Sequence, residues 1–250
     1  MRRLFKSNST STIMLQSTMN APNVKLIIQS VATLLYSNLV EDINEGKVIP
    51  INSNLYFFSE EKYIAENPND FEENRVSLLR KVPTQDEISG FIEAIYELAQ
   101  FSPECCVICL VYINRINALT EMPLLPTTWR PLVIISLMIA QKMWDDKYLS
   151  NADFQYIYPF FDANQFNVLE IKFLELIQYN THIKLSIYTK YYLELKNLST
   201  DEEFPLKPMD VYTMGRMEKK SHNLEEKVKY ASQTGTLKSL SGLNSVVSIN

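Results

Sequence analysis

Thr128-Trp-Arg-Pro-Leu-Val-Ile-Ile-Ser-Leu-Met-Ile-Ala-Gln-Lys-Met-Trp144 decides the fold. From Leu132 to Met143 it is apolar on most sides, and a helix with that pattern belongs in the middle of a bundle. Its longest apolar run, Leu132 to Ala140 with only Ser136 interrupting, is far shorter than the roughly 20 residues a bilayer demands. Working outward, Pro123-Leu-Leu-Pro126-Thr127 separates this helix from an earlier one. That one restarts at Ser102-Pro103-Glu104 and turns Cys106, Val107, Leu110, Val111, Ile113, Asn114 and Ile116 inward. Before it, Thr84 with Glu87 three residues on forms a capping-box pattern. Ile88, Phe91, Ile92, Ile95, Leu98 and Ala99 then lie at helical spacing.

Downstream, Asp145 and Asp146 close the central helix, and Asn151-Ala-Asp153 begins a short fourth one ending near Pro159. Asn164 starts a fifth, with Phe166, Leu169, Phe173, Leu174, Leu176 and Ile177 inward. The spacing therefore predicts five helices between residues 84 and 180. Further apolar-periodic stretches flank them, one after Pro22 and one from Ile183 to Leu198. Residues 46–74 mix short apolar pieces with Asn, Pro, Asp and Glu, and read as loop with one short strand or helix. Pro205 and Pro208 mark a linker before a charged helix over 210–230.

Glycine is scarce: five in 250 residues, against a usual share of about 7%. Only Gly90 falls between residues 47 and 214. A phosphate-binding loop, a dinucleotide fingerprint or a nucleophile elbow needs clustered glycines where the backbone turns sharply or approaches a ligand. Two histidines, His182 and His222, are too few for a histidine-rich metal site. The composition argues against an enzyme and implies no cofactor. Cys105, Cys106 and Cys109 sit within five residues and have no distant partner, which argues for a reducing compartment and against both disulfides and zinc.

The net charge of −5 is unevenly spread. Residues 1–40 carry four bases and no acid, and residues 216–250 carry six bases and three acids. The remaining 14 bases against 26 acids leave −12 on the middle of the chain. An acidic globule repels phosphate, so nucleic acid is an unsuitable partner. Any membrane contact is expected only through the basic ends. No secretory signal follows Met1, and Arg2 stands where N-myristoylation would need glycine. A cytoplasmic protein, with access to the nucleus or a membrane surface, is the expectation.

Two segments carry a family resemblance. Ala140-Gln-Lys142-Met-Trp144-Asp145-Asp146, with Leu169-Glu170-Ile-Lys-Phe173-Leu174-Glu-Leu176, resembles the cyclin box, and more closely the cyclin Y-like group. Tyr188-Thr-Lys190-Tyr191-Tyr192, Ser11-Thr-Ile-Met-Leu15 and Phe204-Pro-Leu-Lys-Pro208 are similar to further pieces of that group. The resemblance implies an all-α protein, a five-helix cyclin box with flanking N- and C-terminal helices. The implied division is a basic leader over 1–20, an N-terminal helix and extended segment over 21–82, and the box over 83–182. C-terminal helices follow over 183–231, then a tail over 232–250.

By the same resemblance the protein is a regulatory subunit, not a catalyst. Its partner would be a cyclin-dependent protein kinase of the PCTAIRE or PFTAIRE type, engaged through Lys142 and Glu170. A lysine ending so apolar a helix also needs a partner on physical grounds, because an unpaired buried charge is costly. Trp144, Asp145 and Asp146 read either as further kinase contacts or as a core aromatic and an acidic turn. Trp129 reads as core. Ser9, Ser11, Ser232 and Ser241 are candidate phosphorylation sites through which 14-3-3 proteins would bind, although neither tail has an Arg-x-x-Ser-x-Pro form. Ser89-Gly90-Phe91-Ile92 stands where cell-cycle cyclins carry their substrate-recruiting run, so recruitment by that route is not expected.

Overall fold

The computed structural model describes residues 23–199 and, beyond them, Gly215, Lys219, His222, Asn223 and Glu226, all helical. The leader, the C-terminal tail, Ser9, Ser11, Ser232 and Ser241 lie outside the described residues. Nine α-helices and two 3-10 turns lie within residues 23–199, and no strand occurs among the described residues. They are α1 (Val24–Asn44), α2 (Glu60–Glu66), α3 (Glu73–Arg80), α4 (Gln85–Ala99), α5 (Glu104–Thr120), α6 (Trp129–Trp144), α7 (Asn151–Ile157), α8 (Ala163–Leu176) and α9 (Leu185–Leu198). The all-α fold is therefore as the sequence predicts.

Local chemistry sets the helix starts. Asn23 caps α1 by accepting from the Leu26 amide at 3.3 Å. Thr84 and Glu87 form the predicted capping box on α4, the Glu87 amide donating to the Thr84 hydroxyl at 3.1 Å and the Thr84 amide to the Glu87 carboxylate at 2.6 Å. Ser150 with Asp153, and Asp162 with Gln165, do the same for α7 and α8. Such reciprocal caps satisfy N–H groups that the helix itself leaves unpaired. The Asp162 cap starts α8 at Ala163, one residue ahead of the sequence reading.

Helix ends show where the glycine shortage is felt. Gly46, at φ 67°, ends α1 in the left-handed conformation, with its amide on the Ile43 carbonyl and that of Lys47 on Asp42. Elsewhere the chain stops helices with residues that disfavour this conformation: Gln100 (φ 52°) after α4 and Glu121 (φ 54°) after α5. Each stores conformational strain of roughly 1 kcal/mol that a glycine would not.

α6 is the axis of the bundle. Trp129, every residue from Pro131 to Gln141, and Trp144 are buried, leaving only Arg130, Lys142 and Met143 partly accessible. α5 packs along it, α8 and α4 close two further sides, and α1 lies across α4, α5 and α9. On α4 the buried stripe is Ile88, Ile92, Ile95 and Ala99; Leu98, off that stripe, is 63% exposed.

Residues 46–74, read as loop with one short strand or helix, contain α2, the start of α3 and two 3-10 turns, Asn54–Phe58 and Pro68–Asp70. Aromatic anchors hold them in place. Phe58 meets Phe173 of α8 edge-on at 6.2 Å, and Tyr63 meets Phe161 at 4.8 Å. The segment ahead of α4 is thus sewn onto the α7–α8 side of the bundle through long-range ring contacts.

Candidate partner-binding site

The last turn of α6 brings Lys142 to the surface end of an otherwise buried helix, where a cation is favoured by the helix dipole. The Asp162 cap sets the phase of α8 so that Leu169 and Phe173 enter the core and Glu170, next to Leu169, faces Lys142. Lys142 Nζ donates to both carboxylate oxygens of Glu170, at 2.7 and 2.8 Å. The two side chains retain only 8% and 11% of their accessible surface. With so little contact with water, each of the two groups needs a partner inside the protein, and each supplies the other's.

A third helix joins them. Asn151, in the first turn of α7, accepts from Lys142 Nζ through Oδ1 at 2.5 Å. Its Nδ2 donates to Glu170 Oε2 at 2.7 Å and to Asn167 Oδ1 at 2.6 Å. A lysine ammonium has three N–H donors, and these contacts use all three. Gln141, buried one residue before, donates to the Ala99 carbonyl at 3.0 Å and accepts from the Leu149 amide at 3.3 Å. It thereby ties the end of α4 and the α6–α7 connection to the same turn.

The other candidates go elsewhere. Trp144 is buried and stacks on Tyr188 of α9 at 6.3 Å, with ring planes 8° apart. Asp145 turns back to the start of α5, where its carboxylate accepts from the Ser102 amide at 3.0 Å and from the Ser102 hydroxyl. An anion there complements the positive end of that helix. Asp146 is exposed. Trp129 is core, edge-on to Phe91 at 5.1 Å. The three cysteines are buried and unbridged, and burial pushes the Cys106 thiol up to about 12. Among the described residues, no group of three or more His, Cys, Asp and Glu side chains could hold a metal ion. No helix among them is long and apolar enough to cross a membrane.

At the opposite end of α6 stands a second polar node. Glu60, fully buried at the start of α2, accepts from Arg130 Nη1 at 3.2 Å and from the Tyr158 hydroxyl at 2.5 Å. Its amide donates to the Thr127 carbonyl at 2.8 Å. Burial pushes the Glu60 carboxyl up to about 7, with Arg130 opposing the rise. Both ends of the central helix are therefore held by ion pairs to other elements.

A family model, the cyclin N-terminal domain, matches residues 53–182. The chain belongs to the cyclin family. Its role is that of a cyclin, a regulatory subunit that binds a cyclin-dependent protein kinase, in a family of kinase regulators rather than catalysts. The matched region starts upstream of α2, so it includes the segment carrying Phe58, Glu60 and Tyr63.

Sequence reasoning paired Lys142 with Glu170 and missed Asn151 and Glu60. Asn151 stands at a helix start, where asparagine ordinarily reads as a capping residue. Its only other signal is a position nine residues after Lys142. Glu60 lies 70 residues from Arg130 and 98 from Tyr158, with no periodicity to connect them.

Proposed function

We propose that this cyclin is of the cyclin Y-like group and activates a cyclin-dependent kinase of the PCTAIRE or PFTAIRE type. It would do so by packing on the kinase's αC helix and activation loop. The observation that carries the reading is the Lys142–Glu170 pair, formed at 2.7 Å at the end of the central helix, where the resemblance expects kinase contact. Protein kinases need an internal Lys–Glu ion pair, completed by inward placement of that helix, before the nucleotide phosphates are positioned. A rigid helical face that binds the inward arrangement better than the outward one shifts the equilibrium by its differential affinity and contributes no catalytic group. Trp144, Asp145 and Asp146 complete the proposed contact: Asp146 from the surface, Trp144 and Asp145 through the turn they fix.

The proposed domain plan is a box over 83–182 between flanking helical segments over 21–82 and 183–231. The tails are proposed to recruit 14-3-3 proteins when Ser9, Ser11, Ser232 or Ser241 is phosphorylated. The test is reconstitution with candidate cyclin-dependent kinases, measuring complex formation and phosphoryl transfer with wild type and with Lys142→Glu. Wild type should bind and accelerate transfer, and Lys142→Glu should do neither. A wild-type complex whose kinase stays inactive would leave a non-activating helical adaptor, and a fully active Lys142→Glu would remove the pair from the interface.

A further inference from the structure

We infer that Asn151 is the positioning residue of this site, holding Lys142 and Glu170 in the geometry that a kinase partner meets. The inference rests on the kinase-binding reading and names a residue that reading does not contain. Lys142 comes from α6 and Glu170 from α8, and Asn151, on α7, hydrogen-bonds both. Its amide does two opposite things at once. The carbonyl oxygen accepts from the ammonium, and the NH2 group donates to Glu170 Oε2 and, with its second hydrogen, to Asn167 Oδ1.

No other side chain of that size does both in one charge state. Alanine frees one N–H of Lys142 and leaves Glu170 Oε2 with the lysine alone, so both long side chains regain rotamers. Aspartate keeps the acceptor but sets a second carboxylate against Glu170, 2.7 Å from where the donor stood. Two carboxylates at that separation cannot both ionise without penalty, and one holds its proton to higher pH. A protonated aspartic acid, however, is nearly an isostere of asparagine. Its C=O accepts from Lys142 and its O–H donates to Glu170.

The chain thus acquires a titratable version of the same contact. The charged groups facing it are Lys142 from α6 and Glu170 from α8. Asp153 on α7 itself is committed to the Ser150 amide and hydroxyl, at 2.8 and 2.7 Å.

The experiment uses the full chain and a cyclin-dependent kinase that binds wild type. Losing a hydrogen bond to a charged group predicts that Asn151→Ala weakens binding about tenfold or more. Ser150→Ala, which removes the α7 cap without touching the network, should change affinity by less than about threefold. Asn151→Asp should bind about as weakly as Asn151→Ala near pH 8 and recover most of the difference toward about pH 5.5, while wild type stays flat. A residue that merely supported α7 would give no such pH dependence.

A second measurement needs no kinase: the acylation rate of Lys142 by an amine-reactive ester, followed by mass spectrometry against the exposed Lys190 in the same chain. Asn151→Ala should raise the relative rate at Lys142 about tenfold, and Ser150→Ala should not. Wild-type affinity together with a wild-type labelling rate in both Asn151 variants overturns the inference while leaving the Lys142–Glu170 reading intact. If wild type binds no cyclin-dependent kinase, that reading fails, and the labelling rates alone decide whether Asn151 positions the pair.

Discussion

Removing the charge of Lys142 by Lys142→Met should destabilise the fold, and adding Glu170→Leu to it should restore most of the loss. Breaking a buried ion pair by deleting one partner costs about 3–5 kcal/mol, because the survivor is left charged in a poorly hydrated place. Here 8% and 11% of the two side chains remain accessible, and Asn151 still donates to Glu170. The expected loss for the single change is therefore at or just below the lower end, about 2–3 kcal/mol. At roughly 2–4 °C per kcal/mol for a domain of this size, the melting temperature should drop by about 5–10 °C.

Glu170→Leu alone should lose a similar amount, whereas the double variant presents two apolar side chains of similar volume. Such replacements are commonly neutral, and about 1 kcal/mol of residual loss is expected for the unmatched Asn151 amide. The double-mutant cycle in urea, read by far-UV circular dichroism, should thus give a coupling of about 3 kcal/mol or more. Strictly additive effects, or single losses below about 0.5 kcal/mol, would refute the argument by showing that the two groups are solvated independently. The double variant also separates two roles: it should fold like wild type and still fail to bind a kinase.

Glu60 carries the pH dependence. Its folded-state carboxyl sits near 7 against an ordinary value of 4.5, so the folded chain holds that proton more tightly than the unfolded one. The resulting stability is fully present below about pH 4.5 and is lost as pH rises through 7, by up to about 3 kcal/mol. Melting curves between pH 5 and 8 should show this decline in wild type and a flatter profile in Glu60→Gln; equal slopes would disprove it. Glu121→Gly should raise stability by about 0.5–1 kcal/mol, because it relieves a left-handed residue at an exposed helix end. An unchanged or lower melting temperature would count against stored strain there. Asp145→Ala should cost about 1–2 kcal/mol by uncapping Ser102 at the start of α5, a loss that Asp145→Asn should partly recover. Equal losses in the two variants would mean that charge, not hydrogen bonding, dominates.

Much of this architecture is legible in the sequence because it is local. The apolar run of α6, the Thr84–Glu87 box and the stripe Ile88, Ile92, Ile95, Ala99 depend on residues within a few turns of one another. So does the expectation that Lys142 must find a partner. What escapes is long-range or runs against propensity. Helix α2 and the turn before it are held by Tyr63 and Phe58 reaching distant rings, and α3 by Arg80 on Glu61; no short-range pattern announces them. Asp145 looks like a terminating acid until it is seen capping a helix 43 residues upstream in sequence. Helix ends at Gln100 and Glu121 lack the glycine that usually marks them. Leu98 satisfies a loose apolar pattern yet points to water, because its angular position is off the buried stripe.

The two ion-paired ends of α6 have a mechanical consequence. The helix is a rod of 16 residues, about 24 Å long, sheathed along nearly all its length and bolted at each end. It cannot roll or slide without pulling Lys142 from Glu170 or Arg130 from Glu60. Close-packed interiors compress little and transmit strain. A load applied at Lys142 therefore travels down the rod to Arg130, Glu60 and Tyr158 instead of being absorbed by local bending. A partner pressing on that small polar tip meets the stiffness of the whole bundle.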